Sequence, residues 1–81
     1  MNENKSIVDT GDILTRNFKF YEVIIADENV FVICRMKYSR KQDCMITSYR
    51  KPEVYANQSK INTLEELKFR LVRKKRWGYN E

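Results

Sequence analysis

Residues 17–38, NFKFYEVIIADENVFVICRMKY, decide the predicted fold. Residues 17–27 are rich in aromatic and β-branched side chains, which are typical of strands. The polar residues 27–29 indicate a turn. After this turn, apolar residues alternate with Arg35 and Lys37, so a second strand with two unlike faces is predicted. The segment therefore predicts an antiparallel hairpin.

The rest of the chain adds a third strand and a helix. SRKQD at 39–43 indicates a second turn, and CMITSYR at 44–50 predicts a strand that ends before Pro52, because proline cannot donate to a β-ladder. TLEE at 63–66 fits a capping box in which Thr63 is the N-cap and Glu66 reaches back to its amide. A helix is predicted over 64–77, with Gly78 as a left-handed stop.

The expected fold class is α+β: a small three-stranded antiparallel β-meander with one C-terminal α-helix packed on one face. Residues 1–14 are expected to form a flexible or partly ordered N-terminal segment, and 15–81 a single ββ(β)α domain. The expected register places Ala26 opposite Val30 and Tyr38 opposite Cys44. In that register the helix residues Leu64, Leu67 and Leu71 cover one face of the sheet, made of Phe18, Phe20, Ile24, Val32, Cys34, Met36, Tyr38 and Ile46.

Positive charge is concentrated in the second part of the sequence. Residues 1–30 hold three cations and six acids, a net charge of −3, whereas residues 31–81 hold thirteen cations and five acids, a net charge of +8. Such an imbalance attracts phosphate backbones, acidic proteins or anionic lipid heads.

The main functional hypothesis is a small basic nucleic-acid-binding accessory protein that uses an open sheet face, the basic helix, or both. The cations neutralise phosphates and the aromatic rings stack, with DNA favoured over RNA because a small sheet can enter the major groove. The expected nucleic-acid-binding residues are Lys19, Tyr21, Arg35, Lys37, Arg40, Lys41, Tyr49, Arg70, Arg73, Lys74, Arg76 and Trp77. The plainer alternative is that these cations lie on a solvated surface and Trp77 closes the end of the core.

A second hypothesis concerns four apolar residues on the sheet face turned away from the helix: Val23, Ile25, Phe31 and Ile33. Because a two-layer domain should not expose them together, they need a cover. The candidates are the N-terminal segment, which supplies Ile7, Val8, Ile13 and Leu14, a second copy of the chain in a homodimer, or a partner protein. A partner would make the chain an inhibitor or adaptor of the phage or mobile-element type, and its basic rim would steer an acidic protein.

Catalysis and cofactor binding are not expected. The sequence has no His, no Gly-rich phosphate loop and no nucleophile elbow, so we predict no enzymatic activity and no catalytic or cofactor-binding residues. Cys34 and Cys44 are expected on one face but about 13 Å apart, too far for a disulfide, and without His or a CxxC motif they make no metal site. No signal peptide or membrane span is evident, which predicts a cytoplasmic protein with reduced thiols and no membrane partner.

Overall fold

The computed structural model describes residues 6–73, which form one antiparallel sheet of six strands and no helix. The order across the sheet is β4-β3-β2-β1-β6, and β5 also pairs with β3. The predicted α+β fold, with a three-stranded meander under a C-terminal helix, is therefore wrong. The strands are β1 (Ile13–Arg16), β2 (Lys19–Ala26), β3 (Val30–Ser39), β4 (Cys44–Thr47), β5 (Glu53–Ala56) and β6 (Arg70–Arg73).

The hairpin predicted from residues 17–38 is confirmed as β2 and β3. Its turn is held by the Asp27 carboxylate, which accepts hydrogen bonds from the amides of Asn29 and Val30, both at 2.8 Å. The predicted register holds for β2 as far as Val23, which faces Ile33. A bulge between Val23 and Ile25 then shifts the pairing by one residue, so that Ala26 faces Phe31.

The second hairpin is also one residue away from the prediction. Tyr38 faces Met45, and Cys44 faces Ser39. The connecting turn contains Asp43 in the left-handed region, with φ of 54°. Because side chains alternate between the two faces of a strand, this one-residue difference places Ile46 beside Lys37, away from the face on which it was predicted.

The capping box at Thr63 is confirmed, but the predicted helix is not. The Thr63 amide donates to Glu66 Oε1 at 3.0 Å, and the Glu66 amide donates to Thr63 Oγ1 at 3.1 Å. Lys68 then adopts a φ of 70°, and the Phe69 amide donates to the Leu64 carbonyl at 2.8 Å. This is the Schellman pattern that ends a helix, here after a single turn.

Burial of Phe69 explains why the chain reverses at Lys68. Phe69 is buried and makes edge-to-face contacts with Tyr21 and Tyr55, at ring-centroid distances of 5.7 and 5.9 Å. Burying such a side chain contributes about 1.5–3 kcal/mol, which offsets the roughly 1–2 kcal/mol cost of a left-handed lysine. The chain continues as β6, which pairs with β1. The remainder of the predicted helix, 74–77, and its stop at Gly78 lie outside the described residues.

The core lies on the sheet face that was predicted to point outward. Its buried members are Val8, Leu14, Tyr21, Val23, Phe31, Ile33 and Phe69. The N-terminal segment supplies part of the cover, since Val8 and Leu14 are buried and Ile7 packs against them. The opposite face, predicted to lie under the helix, leaves Phe20 41% exposed and is covered by no helix of residues 6–73.

The sheet curls around this core. Arg16 on β1 and Glu53 on β5 are separated by β2 and β3 in the sheet, yet Arg16 Nη2 donates to Glu53 Oε1 at 3.0 Å. Arg16 also lies 4.4 Å from the centre of the Phe69 ring and donates to the Tyr55 hydroxyl at 3.3 Å. Partial burial opposes the charge of Glu53, but hydrogen bonds from Tyr55 and Arg16 lower its pKa overall. The Arg16–Glu53 pair therefore closes one end of the core.

Candidate functional site

A cationic cleft opens where the outer edge of β3 changes partner. β4 pairs with the C-terminal half of β3 and β5 with its N-terminal half, and residues 48–52 connect them. The cleft has a volume of about 290 Å³ and is lined by Arg35, Lys37, Ser48, Arg50 and Lys51. Among the described residues, four of the five that line it are therefore cations, and none is an acid.

The geometry of the strands explains why these side chains meet. Arg35 and Lys37 are two residues apart on β3, so both project from the same face, about 7 Å apart along the strand. Thr47 faces Met36 and Glu53 faces Ile33. Thr47 and Glu53 are six residues apart, but their partners on β3, Met36 and Ile33, are only three residues apart. The additional residues form the loop 48–52, which projects from the edge of the sheet.

Both ends of this loop are fixed by backbone chemistry. The Ser48 amide donates to the Arg35 carbonyl at 2.8 Å, which extends the β4 ladder by one bond. Pro52, at the other end, has no amide hydrogen and so cannot continue a ladder. The loop between them carries Arg50 and Lys51 to the cleft that Arg35 and Lys37 line from the strand.

Glu53, the acid next to the loop, binds residues that do not line the cleft. Glu53 follows Pro52 directly, but its carboxylate accepts hydrogen bonds from Arg16 and from the Tyr55 hydroxyl. On the other sheet face, Glu22 accepts a hydrogen bond from the Thr47 hydroxyl. The positive charge of the cleft is therefore not neutralised by these two carboxylates, and the site suits an anion with several oxygen acceptors. Arginine binds phosphate in a bidentate manner, and lysine binds it as a point charge.

The predicted nucleic-acid-binding residues divide into several groups. Arg35 and Lys37 line the cleft. Arg40 and Lys41 are exposed in the turn before β4, and Tyr49 is 66% exposed in the loop after it. Lys19 is exposed at the start of β2, whereas Tyr21 is buried against Phe69 and cannot stack on a ligand.

The C-terminal cations lie apart from the cleft. Arg70 and Arg73 are exposed on β6, which is separated from β3 by β1 and β2. Lys74, Arg76 and Trp77 lie outside the described residues. The β6 cations therefore do not line the cleft.

The four apolar residues predicted for protein docking do not form a surface. Val23, Phe31 and Ile33 are fully buried in the core. Ile25 is 56% exposed, and it faces Val32 on the other side of the sheet because the bulge before it reverses the alternation. Docking of a partner would therefore need a different surface in this fold.

Sequence patterns do not identify Ser48, Arg50 and Lys51 as site residues. The predicted third strand, residues 44–50, includes Ser48 and Arg50, whereas β4 in the structure ends at Thr47. The sequence signal is the run Arg50-Lys51-Pro52, two cations immediately before a residue that interrupts sheet pairing.

The two cysteines are free, Cys34 buried and Cys44 exposed. Cys44 pairs with Ser39, so these two side chains share a face of the sheet. Ser39 lies five residues after Cys34 on β3, and side chains alternate along a strand, so Cys34 and Cys44 lie on opposite faces and not on one face as predicted. Burial, together with the nearby Glu22 charge, raises the pKa of the Cys34 thiol. Across residues 6–73, no group of three or more His, Cys, Asp or Glu side chains is placed to hold a metal.

Comparison with known protein families, with curated proteins and with solved structures finds no match to this chain. Within residues 6–73, no helix has the length and apolar character needed to cross a bilayer.

Proposed function

We propose that this chain is a small nucleic-acid-binding accessory protein that holds the phosphate backbone of DNA in the cationic cleft. The observation that carries the proposal is the convergence of Arg35, Lys37, Arg50 and Lys51 on one cavity of about 290 Å³, with no carboxylate among the described residues that line it. Four cations held this close repel one another, so the arrangement is best satisfied by a bound polyanion. We place the protein in the cytoplasm, where the thiols of Cys34 and Cys44 stay reduced.

Neighbouring residues extend the basic surface beyond the cleft. In an antiparallel sheet the β1–β2 and β3–β4 turns lie at the same end. Lys19 and the turn cations Arg40 and Lys41 are therefore at the end of the sheet to which β3 runs after Lys37. Tyr49, exposed in the loop, supports the proposal because its ring is accessible for stacking on a sugar or base. The proposed interface is thus the cleft with this sheet end.

A charge reversal in the cleft tests the proposal. Lys51→Glu is expected to weaken binding to a fluorescein-labelled 20-base-pair duplex roughly tenfold, the equivalent of about 1.4 kcal/mol. It should also flatten the plot of log affinity against log salt by about 0.9 for each phosphate that the variant no longer neutralises. Lys60→Glu is the matched control, because Lys60 is exposed, does not line the cleft and carries the same charge change. Fluorescence anisotropy over a salt series measures both quantities.

The outcomes are distinct. Equal decreases in affinity for Lys51→Glu and Lys60→Glu would show that overall charge, and not the cleft, holds DNA. A wild-type affinity that does not change with salt, or no binding at all, would contradict the proposed function. The same titration with an RNA duplex of equal length tests the preference for DNA.

A further inference from the structure

The tip of the β1–β2 hairpin carries a fully exposed phenylalanine. Arg16 and Lys19 pair across a two-residue turn, and both turn residues have positive φ, 54° at Asn17 and 64° at Phe18. This is the conformation of a type I′ turn, which favours Asn at its first position and Gly at its second. Phe18 occupies the glycine position and is 101% exposed.

The Phe18 ring does not pack against residues 6–73, the part of the chain that the structure describes. A non-glycine residue in the left-handed region costs roughly 1–2 kcal/mol, and an aromatic ring in water adds the cost of exposed apolar surface. Because the ring is fully exposed, it returns no packing energy to the described part of the chain. Residues that the fold penalises and does not use point to binding.

A second cavity lies beside this ring. It has a volume of about 300 Å³ and is lined by Thr15, Arg16, Asn17, Phe18, Lys68 and Arg70. Three of these residues, Asn17, Phe18 and Lys68, are non-glycine residues with positive φ. The guanidinium of Arg16 is bound to Glu53, whereas Lys68 and Arg70 are exposed. The site therefore combines an aromatic face with two exposed cations.

We propose that this hairpin-tip site binds one nucleotide with an unpaired base, the base stacking on Phe18 and the phosphate lying against Lys68 and Arg70. An exposed ring beside cations is the chemistry that binds single-stranded nucleic acid, because every base presents a π-face for stacking. A paired base inside a duplex is already stacked on its neighbours, so a flat ring at a hairpin tip selects unpaired bases. The inference rests on the proposed nucleic-acid function and adds its substrate class.

The tip lies close enough to the cleft for one nucleic-acid strand to contact both sites. The β1–β2 turn is at the same end of the sheet as the β3–β4 turn. β2 separates β1 from β3, and adjacent strands lie about 4.8 Å apart, so the tip is roughly 10 Å from the line of β3 across the sheet. A single strand held by Lys37 at the cleft can therefore reach the tip within a few nucleotides.

Phe18→Gly tests the inference without threatening the fold, because glycine is the residue this backbone conformation prefers. Affinity for a labelled 12-nucleotide oligo-dT is expected to fall roughly five- to a hundredfold, because one base no longer stacks on the protein. Affinity for a fully paired duplex of the same length should change less than about twofold. Phe18→Tyr is the matched control, because it keeps a stacking ring and should bind oligo-dT within about threefold of the wild type.

Three results would overturn the inference. If Phe18→Gly binds oligo-dT as tightly as the wild type while Lys51→Glu still binds more weakly, the tip is not a binding site and the cleft is. Equal decreases in affinity for oligo-dT and duplex would remove the selection for unpaired bases. Failure of the wild type to bind any oligonucleotide would remove both the tip site and the proposed function.

Discussion

Phe31→Ala is expected to lower the free energy of unfolding by about 3–5 kcal/mol, the cost of deleting a buried aromatic ring. Phe31 is fully buried, lies 5.5 Å from the Tyr55 ring and sits on the part of β3 that pairs with both β2 and β5. A domain of this size has about 5–15 kcal/mol of total stability, so the variant should lose a large fraction of it and unfold at a lower urea concentration than the wild type. Urea denaturation followed by circular dichroism measures the change.

Phe20→Ala is the matched control for this prediction. It deletes the same side chain from β2, but Phe20 is 41% exposed on the sheet face opposite the core. Its effect on the free energy of unfolding should be less than half that of Phe31→Ala, because only part of the ring leaves an apolar environment. If Phe20→Ala were the more damaging change, the core would lie on the other face, and the fold described above would be incorrect.

Asn57→Ala is expected to lower the free energy of unfolding by about 2–4 kcal/mol. Asn57 is buried, and its side chain accepts hydrogen bonds from the amides of Ile7 and Val8, at 2.9 and 3.1 Å. It also donates to the carbonyls of Val8 and Asp27, at 3.1 and 2.7 Å. Removing it leaves buried backbone groups without partners, each costing about 1–3 kcal/mol. Chemical denaturation gives the total, and hydrogen exchange should show Ile7 and Val8 losing protection first.

Gln58→Ala provides the comparison for Asn57→Ala. Gln58 is the next residue and also spans to the β2–β3 turn, at 3.3 Å from the Glu28 carbonyl, but its hydrogen bonds are exposed to water. Its effect on the free energy of unfolding should be below about 1 kcal/mol, because water replaces the missing partner. Similar effects of the two variants would mean that Asn57 does not anchor the N-terminal segment.

The sequence contained enough information for the β2–β3 and β3–β4 hairpins, but not for β1, β6 or the choice of the buried face. β2 and β3 carry apolar residues on both sides, so alternation alone cannot decide whether Phe20 or Phe31 is buried. That choice depends on Val8, Leu14 and Phe69, which reach the core from distant parts of the chain. The bulge before Ile25 then places Ile25 and Ala26 on the faces opposite to those predicted, and no local residue type signals it.

The error at the C-terminal part has a similar origin. The capping box at Thr63 is a genuine helix-start signal and forms as predicted. Lys68 ends the turn by adopting a left-handed conformation, at a position that glycine usually occupies. Only the burial of Phe69 between Tyr21 and Tyr55, a tertiary effect, explains it.

Two of the four cations that line the cleft were predicted as binding residues from the sequence. Arg35 and Lys37 were identified because alternation placed both on one strand face. Arg50 and Lys51 were not, because their position depends on how far the outer edge of the sheet bulges between Thr47 and Glu53. Phe18 was predicted as a core residue, and its exposure follows from a turn whose length and type could not be read from Asn-Phe.

The most direct test of the cationic cleft is a titration of the ¹⁵N-labelled protein with a short DNA duplex, followed by amide chemical shifts at low salt. The largest changes are expected at Arg35, Lys37, Ser48, Arg50 and Lys51, and they should reverse when salt is raised. Largest changes at Val32 and Val54, on the sheet face opposite the core, or no changes at all, would contradict the assignment of the cleft as the DNA-binding site.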